Sequence, residues 1–418
     1  MSNIEVVGGE RLKGELKIQG SKNASLPLLA ATILNKGTTV LKNCPKILDV
    51  FHMIKILEEL GCTCEWEENT LYVDSSYIDT TTVSWDFVSK MRSSILFMGA
   101  LLGRSHEVTI AYPGGCLIGE RKIDFHLDAM KKMNVNVVLN DNEIKCQTCC
   151  IIGTDIILPK SSVGATQNII LAAVLSKGTT RIFNAAKEPE VIELCNFLMK
   201  AGARIHGMDT PMIEVEGVSR LHDVEYTLSP DRIVAGTYMT AVAAAYGNVI
   251  LLDTPYRQLK SLIDVLRKTG CNIEAADDYL KISNDQRPRP IEQIRTQPYP
   301  DFPTDMQSQM MSVLSLAHGD STIIEEIFES RFQNATELNK MGARIDINEM
   351  EKKAVIHGVE KLNGAEVKAL DLRSGAALVV AGLAAEGKTV IRSAEVIRRG
   401  YENIGRDLST LGAKIKNF

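Results

Sequence analysis

The sequence predicts an α/β protein built from six repeats of about 70 residues, and two sets of turns with the same period indicate this. Apolar, helix-like stretches end in short turns, and each turn is followed by a β-rich run such as residues 38–41. The turns recur at intervals of 68 to 72 residues, at Gly37, Glu107, Gly178, Gly247, Gly319 and Gly387. Alternating helix and strand patterns are typical of α/β or α+β folds, and a fixed period indicates an internal repeat.

A second amphipathic helix in each repeat ends at a residue suited to the left-handed backbone conformation. These ends are Gly61, Asn134, Gly202, Gly270, Gly342 and Gly412. Glycine takes that conformation most easily and asparagine next, so the one exception follows the same rule. The periodic turns and the periodic helix ends together support one repeated βαβ-type unit.

Six such units account for nearly all of the 418 residues. A unit of 70 residues buries a limited core on its own, so we expect the units to cluster. One body, two bodies of three units and an extended solenoid all fit the count, and we favour two bodies of three. The midpoint lies near residues 228–231, where Pro230 and two capping residues suggest a crossover.

The composition excludes several classes of protein. A net charge of -5 argues against a nucleic-acid coat, and 45% hydrophobic with 24% charged residues is ordinary for a globular protein. Nine scattered cysteines do not form a secreted disulfide framework, and Cys146-x-x-Cys149 is a weak zinc signal without a second pair. With no signal peptide and no 20-residue apolar run, we expect a cytoplasmic protein with no membrane and no nucleic-acid partner.

Cations stand at the predicted start of the first helix in most repeats. A cation is unfavourable at the positive end of a helix dipole unless an anion binds there. Five positions break this rule in equivalent places: Lys22, Arg92, Lys160, Arg232 and Arg373. They predict a site for a ligand with several phosphate or carboxylate groups. No P-loop or G-x-G-x-x-G follows a predicted strand, which disfavours nucleotide hydrolysis and dinucleotide binding.

Residues 112–126 interrupt the repeat with a glycine-rich loop that carries Cys116. Arg121 lies close by in sequence and would lower the pKa of that thiol, which would make it reactive. The alternative is an exposed thiol without a function. His126 falls early in the following helix and is expected only to support the loop.

Asp305 is the candidate base. It lies in the segment Phe302-Pro303-Thr304-Asp305, where Thr304 is expected to cap the helix and leave Asp305 free. The alternative is a carboxylate that only complements the helix dipole.

Four motifs carry a family resemblance over residues 4–416. They are Ser21-Lys22-Asn23-Ala24, the 113–121 cysteine loop, Phe302-Pro-Thr-Asp305-Met-Gln307 and Arg399-Gly400-Tyr401-Glu402. Together they resemble the UDP-N-acetylglucosamine 1-carboxyvinyltransferases of the enolpyruvyl transferase family. The resemblance implies a two-domain inside-out α/β barrel of six units. Its first domain would be residues 21–229, and residues 1–20 plus 230–418 would form the second.

The resemblance also implies the chemistry. The family transfers the enolpyruvyl group of phosphoenolpyruvate to the 3′-hydroxyl of UDP-N-acetylglucosamine and releases phosphate, in the first committed step of bacterial peptidoglycan synthesis. Cys116 would donate a proton and form a covalent adduct with phosphoenolpyruvate, and Asp305 would accept the hydroxyl proton. The family's thiol is the target of fosfomycin. The implied reaction uses no cofactor and no metal, and the oligomeric state stays open.

The site residues implied in this way fall into three groups. The catalytic set is Lys22, Cys116, Asp305 and Arg399. The phosphoenolpyruvate set is Lys22, Asn23, Arg121, Arg373 and Arg399. The UDP-N-acetylglucosamine set is Asn23, Arg92, Arg121, Lys122, Ile123, Asp124, Phe125, Lys160, Ser161, Ser162, Val163, Gly164, Asp305 and Ile327.

Two positions depart from the family pattern. Lys122 stands where proline commonly follows the loop arginine, and Arg398 stands where an acidic residue is usual. These departures motivate the alternative of a non-catalytic paralogue that binds the sugar nucleotide. The other alternative, an enolpyruvylshikimate phosphate synthase, lacks the cysteine loop that is present here.

Overall fold

A computed structural model describes residues 3–114 and 122–418 of the chain. These residues form two compact bodies. The first body comprises residues 20–114 and 122–229, and the second body comprises residues 3–19 and 230–418.

The described residues contain thirteen α-helices, most of them two to four turns long. In chain order they are α1 (Lys22–Ala31), α2 (Leu48–Glu59), α3 (Trp85–Val88), α4 (Leu96–Ser105), α5 (Asp124–Lys132), α6 (Val163–Ala173), α7 (Pro189–Lys200), α8 (Arg232–Ala245), α9 (Lys260–Thr269), α10 (Gln307–Leu314), α11 (Asn334–Lys340), α12 (Leu372–Ala384) and α13 (Ile404–Thr410). Short 3-10 helices also occur, at Thr32–Leu34, Arg92–Ile95, Tyr256–Leu259, Thr304–Met306, Arg331–Gln333 and Ala394–Arg399.

The strands are short, with six residues at most. In chain order they are β1 (Ile4–Val7), β2 (Leu12–Lys17), β3 (Thr38–Lys42), β4 (Thr63–Glu67), β5 (Thr70–Asp74), β6 (Thr82–Val83), β7 (Glu107–Ala111), β8 (Asn136–Leu139), β9 (Glu143–Gln147), β10 (Asp155–Ile157), β11 (Thr179–Phe183), β12 (Arg204–His206), β13 (Met212–Glu216), β14 (Val224–Thr227), β15 (Gly247–Leu252), β16 (Asn272–Ala275), β17 (Tyr279–Asn284), β18 (Ile294–Thr296), β19 (Asp320–Glu325), β20 (Arg344–Asn348), β21 (Lys353–His357), β22 (Glu366–Lys368), β23 (Lys388–Arg392) and β24 (Lys414–Asn417).

The described strands form six four-stranded sheets, three in each body, which confirms the predicted α/β class and the six repeats. The orders are β14-β3-β5-β4, β6-β7-β9-β8 and β10-β11-β13-β12 in the first body, and β16-β17-β15-β2, β18-β19-β21-β20 and β22-β23-β1-β24 in the second. Every sheet has one parallel pair and two antiparallel pairs, as in β10-β11 (parallel), β11-β13 and β12-β13 (both antiparallel). The repeated unit is therefore visible in the hydrogen-bond pattern as well as in the spacing.

Three sheets include a strand that is distant in sequence. β14 pairs in parallel with β3 and so joins the two ends of the first body. β2 pairs in parallel with β15, and β1 pairs with both β23 and β24. The N-terminal strands β1 and β2 therefore belong to the second body.

The first helix of each repeat lies at the centre of its body. α4 packs on α6 and α1, and in the second body α8, α10 and α12 pack on one another. All fourteen residues of α8 are buried, in the sequence RIVAGTYMTAVAAA. A helix that is apolar and small-sided all round is stable only when it is covered on all sides. The strands bury alternate residues, as in β13, so the sheets surround these helices in the implied inside-out arrangement.

The predicted ends of the second helices are confirmed. Asn134 has a φ of 68°, and the five glycines have φ angles from 91° to 109°. Among these positions Gly270 is free of neighbours, because nothing lies within 4 Å of the place a Cβ atom would take. A substitution of Gly270 by alanine therefore strains the backbone but does not disturb the packing of neighbouring side chains.

We expect Gly270→Ala to lower the free energy of unfolding by about 1–2 kcal/mol, because an L-residue is strained in this region. Urea unfolding at neutral pH measures the change. Lys268→Ala, an exposed position in the last turn of the same helix, is the control and should stay within about 0.5 kcal/mol of the parent chain. Equal unfolding free energies for the Gly270→Ala protein and its parent would contradict the assignment.

Candidate functional site

Lys22 stands at the first position of α1 and pairs with a buried carboxylate. The Ser21 hydroxyl caps the helix by accepting the Ala24 amide at 3.3 Å. The Lys22 ammonium lies 2.8 Å from Asp49, and the two side chains are 12% and 1% exposed. The carboxylate stabilises a cation that the helix dipole disfavours. The Lys22 ammonium is therefore held at the start of α1 by a buried partner.

Asn23 is half-buried and connects α1 to α7. Its amide nitrogen donates to Glu190 Oε1 at 3.4 Å, while the main-chain oxygen of Glu190 accepts from the Gln167 side chain at 3.3 Å. Glu190 and Gln167 are both buried. Asn23 is therefore held in place by a polar network that also reaches α6.

The structure brings part of the predicted nucleotide set together. Arg92 begins the 3-10 helix before α4, and its Nη2 donates to the carbonyl oxygen of Lys122 at 2.9 Å. Lys122 and Asp124 are exposed, and Ile123 and Phe125 are half-buried. Asp124 is the first residue of α5, so the Arg92 hydrogen bond fixes the segment that enters this helix.

The segment at the start of α6 corrects one expectation. The helix begins at Val163, and Ser162 caps it by accepting the Ala165 amide at 3.4 Å. Lys160 is exposed and lies before the helix, so the argument from an unfavourable dipole does not apply to it. Ser161, Ser162, Val163 and Gly164 are half-buried. Lys160 is available to solvent because it is outside the packed turn.

The expectation that Thr304 caps a helix and leaves Asp305 free is wrong. Pro303 occupies the capping position without a side-chain bond, and the Thr304 hydroxyl donates to Glu325 at 3.0 Å. Asp305 accepts hydrogen bonds from Arg331 at 2.8 Å and from Arg373 at 2.7 Å. The two guanidinium groups are nearly buried and need a carboxylate partner, which the sequence spacing does not reveal.

Burial opposes ionisation of Asp305, but the positive charges of Arg373 and Arg331 outweigh it. Together they hold the pKa of this carboxyl well below its usual range. The same contact raises the pKa of Arg373 against the opposing effect of its own burial. In this arrangement Asp305 is ionised and is a weak base.

Glu325 connects the Asp305 segment with the Ile327 segment. Its carboxylate is fully buried and accepts from the Thr304 hydroxyl and from the amides of Ile327, at 2.9 Å, and Phe328, at 3.1 Å. Because both amides are used in this way, a ligand at this segment would meet main-chain carbonyl groups such as that of Ile327.

Arg373 and Arg399 differ in how they are held. Arg373 is in the first turn of α12, whose start has a capping box between Asp371 and Ser374. Arg399 is half-buried at the last position of a 3-10 helix, next to the exposed Arg398. Arg373 is thus fixed by a buried ion pair, while Arg399 lies on a less regular segment.

Three buried charged residues were missed from the sequence. Asp49, Glu325 and Arg331 are each at most 5% exposed. Charged residues are rarely buried unless they are paired. Asp49 lies early in α2 and Glu325 ends β19, in patterns that also fit ordinary surface positions. Their roles become visible only in the folded protein, where each residue contacts a residue of the candidate site or of its supporting segment.

Two predicted site residues, the catalytic Cys116 and the substrate-binding Arg121, lie outside the described residues. Among the cysteines within the described ranges, Cys146 is buried and burial raises its thiol pKa to about 12, whereas Cys149 is exposed. Residues 3–114 and 122–418 contain no cluster of three or more acidic, histidine or cysteine side chains suited to a metal ion. In the same ranges no helix has the length and apolar character needed to cross a bilayer.

The chain belongs to the EPSP synthase (3-phosphoshikimate 1-carboxyvinyltransferase) family, whose model matches residues 6–408. Within it, the chain is 48% identical to UDP-N-acetylglucosamine 1-carboxyvinyltransferase 2 of Caldanaerobacter subterraneus subsp. tengcongensis, over 99% of both chains. It is 41% identical to UDP-N-acetylglucosamine 1-carboxyvinyltransferase of Dichelobacter nodosus, over 100% of this chain and 99% of the relative. These relatives confirm the family resemblance seen in the four motifs.

Solved structures agree with the fold. The enolpyruvyl transferase NikO from Streptomyces tendae superposes with a TM-score of 0.89 at 23% identity, covering 100% of this chain and 98% of that one. EPSP synthase from Acinetobacter baumannii has a TM-score of 0.77 at 16% identity and covers 100% of both chains. At these identities the likeness extends to the fold alone.

We expect Asp305→Asn to lower the free energy of unfolding by about 3 kcal/mol at pH 7, because it leaves two nearly buried guanidinium groups without a charged partner. A carboxyl with a depressed pKa stabilises the protein above its unfolded pKa of about 3.9 and loses that effect as the pH falls. The difference between the two proteins should therefore shrink by about 1 kcal/mol between pH 7 and pH 3.

Urea unfolding of both proteins at pH 7, 5 and 3 measures this difference. Asp301→Asn is the matched control, since Asp301 is exposed in the same segment and should change stability by less than about 0.5 kcal/mol. A gap between the Asp305→Asn protein and its parent that is the same at all three pH values would contradict the ion-pair interpretation.

Proposed function

We propose that this protein transfers the enolpyruvyl group of phosphoenolpyruvate to the 3′-hydroxyl of UDP-N-acetylglucosamine and releases phosphate. The reaction is the first committed step of bacterial peptidoglycan synthesis. The observation that carries the proposal is full-length identity of 41–48% to relatives named UDP-N-acetylglucosamine 1-carboxyvinyltransferase. The buried ion pairs of Lys22 and Asp305 support it, because each places a charged group at a motif position of the family resemblance.

The chemistry is an addition followed by an elimination. The 3′-oxygen bonds to C2 of phosphoenolpyruvate as the methylene carbon takes a proton, and the hydroxyl proton leaves. The bond from C2 to the phosphate oxygen then breaks, the methyl group loses a proton, and the enol ether forms again on the sugar. We assign the proton donor to Cys116 and the acceptor to Asp305. General acid–base catalysis of this kind typically contributes 10²–10⁴-fold.

The ion pairs around Asp305 suggest how its basicity is controlled. With both Arg331 and Arg373 bound, the pKa of Asp305 is too low for an efficient base. A substrate carboxylate or phosphate that binds Arg373 competes for one of these guanidinium groups. The weaker contact with Arg373 and the negative charge of the ligand raise the pKa of Asp305, so the binding of phosphoenolpyruvate prepares the proton acceptor.

We assign the remaining residues to binding. Lys22, Asn23, Arg121, Arg373 and Arg399 hold phosphoenolpyruvate. The nucleotide sugar is held by Asn23, Asp305, Ile327, Arg92, residues 121–125 and residues 160–164. In the first body, the Arg92–Lys122 hydrogen bond supports this assignment because it joins two of the proposed contacts directly. The exposed position of Lys160 suits a diphosphate ligand.

The same proposal includes the biological setting. We infer that residues 21–229 and residues 1–20 plus 230–418 are the two folding domains. We also infer that the enzyme acts in the cytoplasm, where both substrates occur as metabolites. Its partners are these small molecules rather than a membrane or a nucleic acid, and neither a metal nor an organic cofactor takes part.

The test is phosphate release from phosphoenolpyruvate, with and without UDP-N-acetylglucosamine, before and after fosfomycin. We expect release to require the sugar nucleotide and to be lost when Cys116 is alkylated. Cys116→Asp should resist the inhibitor, because a carboxyl group supplies a proton but does not open the epoxide to a thioether. Cys149→Ser removes an exposed thiol outside the proposed site and should remain as sensitive as the parent protein.

Two results would overturn the proposal. A folded protein that binds the sugar nucleotide without releasing phosphate would be a non-catalytic paralogue, and Lys122→Pro and an acidic residue at Arg398 would then be the first reversions. Release that depends on shikimate 3-phosphate instead of UDP-N-acetylglucosamine would identify the enolpyruvylshikimate phosphate synthase reaction.

A further inference from the structure

His126 is a buried histidine whose hydrogen bonds define which ring nitrogen carries the proton. It lies in the first turn of α5 and is 5% exposed. Its Nδ1 is 2.9 Å from Nδ2 of Asn168, a fully buried residue of α6. The sequence suggested only that His126 supports the cysteine loop, but its contact is with the centre of the first body.

Main-chain contacts determine the orientation of the Asn168 amide. Its Oδ1 accepts the Gly99 amide hydrogen at 2.7 Å, and its Nδ2 donates to the Ile95 carbonyl at 3.1 Å. A main-chain N–H only donates and a carbonyl only accepts, so the side-chain amide cannot be flipped. The second hydrogen of Nδ2 therefore points to His126 Nδ1, which must be the acceptor. The ring proton is on Nε2.

The ring is also neutral. Burial, with a further contribution from the positive charge of Arg92, lowers the pKa of His126 to about 3. At physiological pH the side chain is thus a single, directed N–H donor. It carries no net charge that would need a permanent partner.

The edge of the ring that carries this donor lies against the start of α6. A Cβ atom on Gly164 would be 3.3 Å from His126 Cε1 and 3.5 Å from Nε2, so the absent side chain leaves room for the ring. Within the described ranges, Nε2 has no hydrogen-bond partner. α6 is eleven residues long. The main-chain N–H groups of its first turn have no acceptor within the helix. An N–H donor of a largely buried ring beside these amides indicates a place for an anionic oxygen.

We propose that His126 is a further substrate-binding residue, which donates its Nε2 hydrogen to the diphosphate of the nucleotide bound at the start of α6. Asn168 is the positioning residue that fixes the tautomer. The inference rests on the proposed function, since it deepens the assignment of residues 160–164 to the nucleotide. It adds a neutral donor to a group otherwise formed by Arg92, Lys160 and helix amides.

Two substitutions separate the two nitrogens of the ring. In His126→Asn, the amide oxygen takes the place of Nδ1 and can still accept from Asn168, but the distal donor is lost. In His126→Gln, the amide nitrogen reaches toward the place of Nε2, so the donor is kept. A hydrogen bond to a charged group contributes enough that its loss weakens binding about tenfold or more.

Calorimetric titration with UDP, with uridine as the reference ligand, measures the effect without turnover. We expect the His126→Asn protein to bind UDP about tenfold more weakly and the His126→Gln protein to stay within about threefold of the parent. Uridine, which lacks phosphate, should bind all three proteins equally. Equal weakening in both variants, or none in the His126→Asn protein, would overturn the proposal. Equal weakening toward UDP and uridine would overturn it too.

Nitrogen-15 NMR of the parent protein supplies a readout that a purely structural role would not change. We expect the Nε2-protonated tautomer at pH 7 and a change in the Nε2 resonance when UDP is added. A proton on Nδ1, or an Nε2 resonance that UDP leaves unchanged, would overturn the proposal.

The steady-state kinetics of the same variants separate this inference from the proposed function. We expect His126→Asn to raise the KM for UDP-N-acetylglucosamine about tenfold, with kcat and the KM for phosphoenolpyruvate unchanged. If no protein releases phosphate but UDP binding still depends on Nε2, the reaction assignment fails and this inference stands. If the parent turns over and the His126→Asn protein binds UDP as the parent does, the inference alone fails.

Discussion

Each body is built on three helices that are covered on all sides, and this burial determines what can stand at the helix ends. α8 has no exposed residue, and the first turns of α1 and α12 carry Lys22 and Arg373 into nearly closed surroundings. A buried cation requires a carboxylate or a ligand anion. Much of the candidate site follows from this requirement. Asp49 and Asp305 supply the carboxylates that pair with Lys22 and Arg373.

The ion pairs serve stability and chemistry in different ways. For Lys22, the Asp49 carboxylate fixes the ammonium at the start of α1. For Asp305, two guanidinium groups make the folded protein depend on its ionised form but reduce its strength as a base. A catalytic role for Asp305 thus couples proton transfer to the arrival of an anion at Arg373. In the proposed reaction, the residues that stabilise the free protein in this way also control the proton acceptor.

Polar residues at the centre of the bodies act as connections between the segments expected to bind substrate. Glu325 joins the Thr304–Asp305 turn to the Ile327 segment, and Asn168 joins α6 to α4 and α5. Buried polar groups are costly unless every hydrogen bond is made. Such a network has few alternative arrangements, so it holds the surrounding groups in a defined geometry. Neither residue belongs to the motifs that identify the family.

The sequence by itself determined the repeat, the class of fold and the family, because turn spacing, helix-ending glycines and motif residues are local features. It also located Lys22, Asn23 and Arg373 as candidates. Only the tertiary structure decided that β14, β2 and β1 complete sheets far along the chain, that Asp305 is paired rather than free, and that Lys160 lies outside its helix. Strand partners and ion pairs depend on residues brought together from distant positions. The proton on His126 is settled in the same way, by main-chain groups of another helix that no local pattern identifies.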